Sequence, residues 1–219
     1  MSHAGRVPAV VLAGGRSVRM GAVDKTFATL AGRPLINWVL NGLRPQAEPI
    51  AISSNAPAHL FESLGVPVLK DPALGKVGEA GEAFRGPLAG ILAGLEWAAQ
   101  TGADKVVTVP VDMPFVPAGL CDALVAATNA KPGSPALAAA HESSGRAVRH
   151  FAMGLWPVCA AAAIKAHLQA GQFKVRTAAD ALGATEVIFN AQEATLMNIN
   201  TPEDLARAET LVATGQLAG

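Results

Sequence analysis

The apolar run Val10-Val11-Leu12-Ala13 passes directly into Gly14-Gly15-Arg16-Ser17-Val18-Arg19-Met20-Gly21-Ala22-Val23-Asp24-Lys25, and that change of character points to chemistry on phosphate. Glycines let backbone N–H groups come close to a ligand, and at positive φ they fold a loop into an anion-binding nest. Gly14, Gly15 and Gly21 can adopt such a φ and admit this approach, so the loop can wrap a polyphosphate, with Arg19 and Lys25 supplying positive charge. Two common phosphate-binding patterns are excluded by spacing. No G-x-G-x-x-G follows the strand, and Lys25-Thr26 follows Asp24 where a Walker loop would require glycine. The stretch is expected to hold a nucleoside triphosphate.

Two aspartates share a second pattern. Asp112 follows the apolar run Val106–Pro110 and precedes Pro114 and Pro117, while Asp71 follows Val66–Leu69 and precedes Pro72. Each carboxylate would therefore stand at the carboxyl end of a strand, where open α/β sheets bind their ligands. Facing a triphosphate, Asp112 suits Mg²⁺, which takes one or two carboxylates together with phosphate oxygens. The competing account of both residues is that they organise turns before proline. There is no G-x-S-x-G, no H-E-x-x-H and no cysteine in an activating context, so no protein nucleophile or zinc protease centre is written here.

These residues need elements to hold them. Ala9–Ala13 is continuously apolar between Pro8 and Gly14, as a strand buried on both faces should be. Further strands are expected at Pro49–Ser53, Val66–Leu69 and Lys105–Pro110, each after a helical stretch. That alternation implies a parallel sheet with right-handed crossovers. Leu88, Ile91, Leu92 and Leu95 recur at helical spacing within Pro87–Ala99, with Pro87 at a favoured first position. In the helix Leu35–Leu43, Trp38 reads as core. Pro72–Arg85 lacks periodicity and reads as a loop, either a lid or an insertion.

Beyond Asp112 the pattern is less regular. Helices are expected at Gly119–Thr128, Val158–Ala170 and Val175–Leu182, and strands at Ala136–Ala140, Val148–Gly154 and Glu186–Phe189. Thr201-Pro202-Glu203-Asp204 opens a last helix, with an N-cap, proline at N1 and acids in the first turn. One domain is expected over residues 1–219, with a nucleotide half to about residue 116 and a second half over about 117–219.

Composition narrows the partners. The formal net charge is zero, so the surface as a whole has no electrostatic reason to attract nucleic acid or an anionic membrane. The segment Met1 to Val10 is too short in apolar residues for a signal peptide, and no run approaches the roughly 20 apolar residues of a membrane span. Cys121 and Cys159 stand apart, without metal-ligand spacing, as expected of thiols in a reducing cytoplasm.

The pattern L-A-G-G-x-x-x-R-M-G-x-x-D-K resembles the signature of the molybdenum cofactor guanylyltransferases, the MobA-like nucleotidyltransferase family. Further matches follow in order: Gly32-Arg33-Pro34-Leu35, Asp71, Gly86-Pro87-Leu88-Ala89-Gly90, Asp112-Met113-Pro114-Phe115 and Asn198-Ile199-Asn200-Thr201-Pro202-Glu203-Asp204-Leu205. The resemblance implies a three-layer Rossmann-like α/β fold with a mostly parallel central sheet, and transfer of GMP from GTP to molybdenum-molybdopterin. It further implies that Leu12, Ala13, Gly14, Gly15, Lys25, Ser53 and Asp71 contact the nucleotide and that Asp112 holds Mg²⁺. Lys25, Arg19 and Asp112 would act on the reacting phosphates, and Asn198 and Asn200 would touch the pterin substrate. The family usually has asparagine where this chain has Ser53, and Asn55 is a nearby substitute for base recognition. His150 stands where the family often has His-Pro, and Arg149 or His150 is an alternative phosphate ligand to a simple surface pair. No general base is needed, because a phosphate monoester with a second pKa of about 6 is mostly dianionic at neutral pH. Cytidylyl transfer, nucleotidyl transfer to a sugar phosphate, and a non-catalytic module delivering cofactor to a molybdoenzyme are the competing readings.

Overall fold

The computed structural model describes residues 6–14, 25–73, 86–141, 147–189 and 196–216. Its centre is a seven-stranded sheet. The strands are β1 (Val7–Leu12), β4 (Ala47–Ser53), β5 (Val68–Leu69), β6 (Lys105–Pro110), β7 (Ala136–His141), β8 (Ala147–Pro157) and β9 (Thr185–Ile188), in the spatial order β5-β4-β1-β6-β8-β7-β9. The short strands β2 (Thr29–Leu30) and β3 (Arg33–Pro34) form a separate antiparallel pair. β5, β4, β1 and β6 are mutually parallel, β8 runs antiparallel to β6 and β7, and β9 is parallel to β7. The expected mostly parallel α/β sheet is present, and the C-terminal strands continue it without a break.

Successive residues of a strand face opposite sides, so a strand buried on both faces divides its side chains between two cores. In β1, Ala9 and Val11 join one core and Val10 and Leu12 the other. The first core is covered by α1 (Leu35–Leu43), α3 (Leu120–Ala130) and α6 (Pro202–Ala213); the second by α2 (Gly86–Gln100), α4 (Ala161–Gln169) and α5 (Val175–Ala181). Three layers result, and β1 in the middle is nearly inaccessible from Ala9 to Leu12.

Close contact of α2 with β1 depends on two glycines. A Cβ on Gly94 would lie 3.1 Å from Val10 Cγ2, and one on Gly90 would lie 2.7 Å from Ser53 Oγ and 3.0 Å from Leu12 Cδ2. The helix can therefore press its backbone on the strands while Leu88, Ile91, Leu92 and Leu95 fill the space on either side, each fully buried. Burial of one such side chain contributes about 1.5–3 kcal/mol. Trp38 is core as expected: its indole N–H donates to the Leu30 carbonyl at 3.1 Å and its ring meets Phe115 edge-on. The terminal helix α6 begins with a full capping box, Thr201 Oγ1 accepting from the Asp204 N–H and the Asp204 carboxylate from the Thr201 N–H. No helix among the described residues is long and apolar enough to cross a membrane.

Candidate active site

The carboxyl ends of β5, β4, β1 and β6 lie side by side, and the expected site residues follow directly after them. Leu12, Ala13 and Gly14 end β1, Ser53, Ser54 and Asn55 end β4, Asp71 follows β5, and Asp112 follows β6. Strands are about 4.8 Å apart, so the row from Asp71 to Asp112 crosses three spacings, roughly 14 Å. An extended nucleotide can bridge that span.

A cleft of about 150 Å³ opens over the first part of this row. Leu12, Ala13 and Gly14 form its floor, Ser53, Asn55 and Asp71 one side, and Gly86, Pro87 and Gly90 of α2 the other. The N-terminus of the 15-residue helix α2 thus borders the cleft, where first-turn N–H groups that have no intrahelical acceptor and the positive dipole end favour an anion. The Ala13 N–H donates to the Ser53 carbonyl at 2.9 Å, which extends the β1–β4 ladder to the cleft floor. Thr26 is buried and donates to the Ala13 carbonyl at 3.4 Å, bringing the backbone after Lys25 back to the same strand end. Ser53 is 2 % exposed, and its hydroxyl bonds to no other group among the described residues.

Asp112 stands beside this cleft on the β6 side. The Val111 N–H donates to the Leu12 carbonyl at 3.0 Å, tying the residue before Asp112 to the cleft floor. The Ile199 N–H donates to the Asp112 carbonyl at 2.8 Å, which brings the segment bearing Asn198 and Asn200 to the same place across 87 residues of chain. The Asp204 carboxylate holds the Asn200 N–H at 2.9 Å, so the α6 cap also fixes this segment. Asn198 and Asn200 are exposed.

The expectations separate into groups. Leu12, Ala13, Gly14, Ser53 and Asp71 are gathered in one cleft, and Asp112, Asn198 and Asn200 in an adjoining cluster. Gly15, Arg19, Gly21, the Lys25 side chain and residues 74–85 of the loop Pro72–Arg85, expected as a lid or an insertion, lie outside the described residues. Gly14 does not use the positive φ open to it; the residue before it, Ala13, makes the last rung of the β1–β4 ladder. Asn55 is engaged with Asp71: its Nδ2 donates to Asp71 Oδ2 at 2.8 Å and its Oδ1 accepts from the Asp71 N–H at 3.1 Å. Arg149 is committed to Asp180 at 2.8 Å and Glu186 at 3.2 Å, which favours the surface-pair account. Burial pushes the His150 imidazole below its ordinary range. Gly86, Pro87 and Gly90 belong to a motif of the resemblance, and Pro87 to an expected helix start, but none was expected to line the cleft; glycines at four-residue spacing in an apolar helix were the available signal.

Among the described residues no three histidine, cysteine or acidic side chains form a metal cage. The hard carboxylate of Asp112 is of the kind that binds a cation whose shell is completed by phosphate oxygens and water, as that of Mg²⁺ is.

A cleft at the carboxyl edge of parallel strands, flanked by a helix N-terminus and an acidic residue, is where a Rossmann-like α/β fold takes its ligand, and that fold is the one the nucleotidyltransferases share. The chain belongs to the MobA-like NTP transferase family, whose domain model matches residues 9–185. It is 47% identical over 207 residues to a molybdenum cofactor guanylyltransferase of Cereibacter sphaeroides, covering 94% of this chain and 97% of that one. It is 41% identical over 204 residues to the protein of the same name from Rhodobacter capsulatus, covering 93% and 95%. Among solved structures it is similar to the molybdopterin-guanine dinucleotide biosynthesis protein A of Archaeoglobus fulgidus, with a TM-score of 0.72, 22% identity and coverage of 95% and 100%. The 2-C-methyl-D-erythritol 4-phosphate cytidylyltransferase of Thermus thermophilus gives a TM-score of 0.68 at 20% identity, covering 95% and 99%. These two likenesses concern the fold.

Proposed function

We propose that this chain is a molybdenum cofactor guanylyltransferase that transfers GMP from GTP to the terminal phosphate of molybdenum-molybdopterin. A phosphate oxygen of molybdopterin attacks the α-phosphorus in line, the bond to the β-phosphate oxygen breaks, and its electron pair leaves with pyrophosphate. The guanine dinucleotide form of the cofactor is the other product. The observation that carries this reading is the row of Asp71, Ser53, Leu12–Gly14 and Asp112 along four adjacent strand ends. Relatives of the same length that bear this name support it.

In this reading the cleft takes the guanosine, with Ser53 and Asp71 toward the base or ribose. Gly14, Gly15, Arg19 and Lys25 take the triphosphate, as the sequence pattern implies. Asp112 would hold Mg²⁺, which when bound neutralises charge on the phosphates. Asn198 and Asn200 would meet the pterin. The chain's own contribution is positioning and charge complementarity, since the nucleophile is already ionised. Residues to about 116 serve GTP and those from about 117 the pterin, and handover to a molybdoenzyme or a cofactor-delivery protein completes the cycle. A cytoplasmic setting accords with two free cysteines.

The test is incubation with Mg²⁺, molybdate-loaded molybdopterin and GTP or CTP labelled at the α-phosphate. Label is expected in a pterin dinucleotide from GTP alone. Transfer from CTP would overturn the base assignment, and no transfer from either, with folded protein, would overturn the reaction.

A further inference from the structure

The pair formed by Asn55 and Asp71 does more than close a turn. β5 is only two residues long, and its last backbone rung to β4 is the Ser54 N–H donating to the Leu69 carbonyl at 2.9 Å. Beyond that rung Asp71 is followed by Pro72, which has no N–H to donate. The Asn55 side chain replaces the missing strand. Its Oδ1 takes the Asp71 N–H as the next backbone carbonyl would have done, and its Nδ2 takes Asp71 Oδ2. Lys70 adds a further tie, donating from Nζ to the Ala56 carbonyl. The donor and acceptor of Asn55 are matched to an acceptor and a donor of Asp71, so a flipped amide would set like against like.

We infer that Asn55 is a positioning residue: it fixes the Asp71 carboxylate at the cleft wall, with Oδ2 occupied and Oδ1 left to receive the donor groups of the nucleotide. This rests on the nucleotide-binding reading above and deepens it. It also gives Asn55 a role other than direct base reading, since its oxygen and its nitrogen each bind Asp71. A carboxylate held before the ligand arrives need not be ordered during binding, so losing Asn55 weakens nucleotide binding more than it slows chemistry.

A double-mutant cycle on Asn55 and Asp71 tests this, using whichever nucleotide the wild-type protein turns over, with KM, kcat and direct nucleotide binding as readouts. Asn55→Ala is expected to raise the nucleotide KM on the order of tenfold, the scale of one hydrogen bond to a charged group, with kcat within about threefold. In an Asp71→Ala background the same change is expected to add little, because no carboxylate remains to be aimed. If Asn55 only staples β4 to β5, its bond to the Asp71 N–H persists in that background. An undiminished penalty there would overturn the inference, as would an unchanged KM in the single variant. Asn55→Asp keeps the acceptor for the N–H but loses the donor to Oδ2; it should raise KM too, and it serves if Asn55→Ala does not fold. Wild-type use of CTP in place of GTP would refute the base assignment while the cycle is run on CTP. Wild-type use of neither would refute both.

Discussion

Substituting Gly90 by alanine tests whether the helix–strand contact shapes the nucleotide cleft. The added methyl carbon would stand 2.7 Å from Ser53 Oγ and 3.0 Å from Leu12 Cδ2, and both of those residues line the cleft. Alanine gains about 1 kcal/mol over glycine within a helix. Forcing a methyl into a packed core costs about 1–3 kcal/mol. The net change is then a loss of roughly 0–2 kcal/mol, a fall in Tm of up to about 8 °C for a chain of this size. Function should suffer more than stability. The Ser53 hydroxyl must turn away, and the nucleotide KM should rise several-fold while kcat changes little. Two controls sharpen the result. Gly94→Ala meets Val10 first, at 3.1 Å, a residue that does not line the cleft, and should leave KM unchanged. Ser53→Ala removes the nearest clashing atom, leaving Leu12 Cδ2 at 3.0 Å and the residue 53 Cβ at 3.4 Å. The cost of Gly90→Ala should therefore shrink by about 0.5–1.5 kcal/mol in that background, as for residues in contact. Thermal melts and steady-state kinetics on the four proteins measure all of this. A wild-type KM for Gly90→Ala, or strictly additive changes in Tm, would refute the argument.

Further outcomes are expected. Asp112→Asn should lower kcat by on the order of a hundredfold or more, the scale of removing one well-placed electrostatic group, with an unaltered melt; near-normal turnover would remove Asp112 from the mechanism. Burial, with Asp122 adding to it, pushes the Cys121 thiol up to about 12, whereas Cys159 is exposed. A thiol reagent at pH 8 should therefore label one cysteine quickly and the second only on unfolding, and two fast equivalents would contradict this. Thr201→Ala removes half of the α6 capping box and should cost about 1 kcal/mol, read as a lower Tm. Asp204→Ala also releases the Asn200 N–H and should raise KM for the pterin substrate more than for GTP.

Much of this arrangement is legible in the sequence because its centre is buried on both faces. β1 is a continuous apolar run, β6 is apolar but for Lys105 and Thr108, and glycine or aspartate follows at the second position beyond each. The order of motifs is equally readable, and it gathers five of the expected residues into one cleft. Other features depend on neighbours distant in the chain. Gly90 is one more small residue in an apolar helix until Ser53 and Leu12 are seen beneath it. Asn55 and Asp71 become a pair only when β4 and β5 align across 16 residues. The two-residue strands β2 and β3 are too short to leave a periodic pattern. Glycine permits positive φ without requiring it, and Gly14, one residue past the last β1–β4 rung, does not use it.

The place of β8 between β6 and β7 bears on how the chain can be divided. Residues Val106, Val107 and Thr108 of β6 pair with Trp156, Leu155 and Gly154, and the Trp156 indole donates to Thr108 Oγ1 at 3.1 Å. A fragment ending near residue 116 would retain every cleft residue, yet it would leave this apolar strand with a bare hydrogen-bonding edge. Such an edge recruits other chains into aggregates. The polypeptide beyond residue 116 is thus also the cover of the β6 edge, and it could not have been exchanged for another module without a replacement for β8.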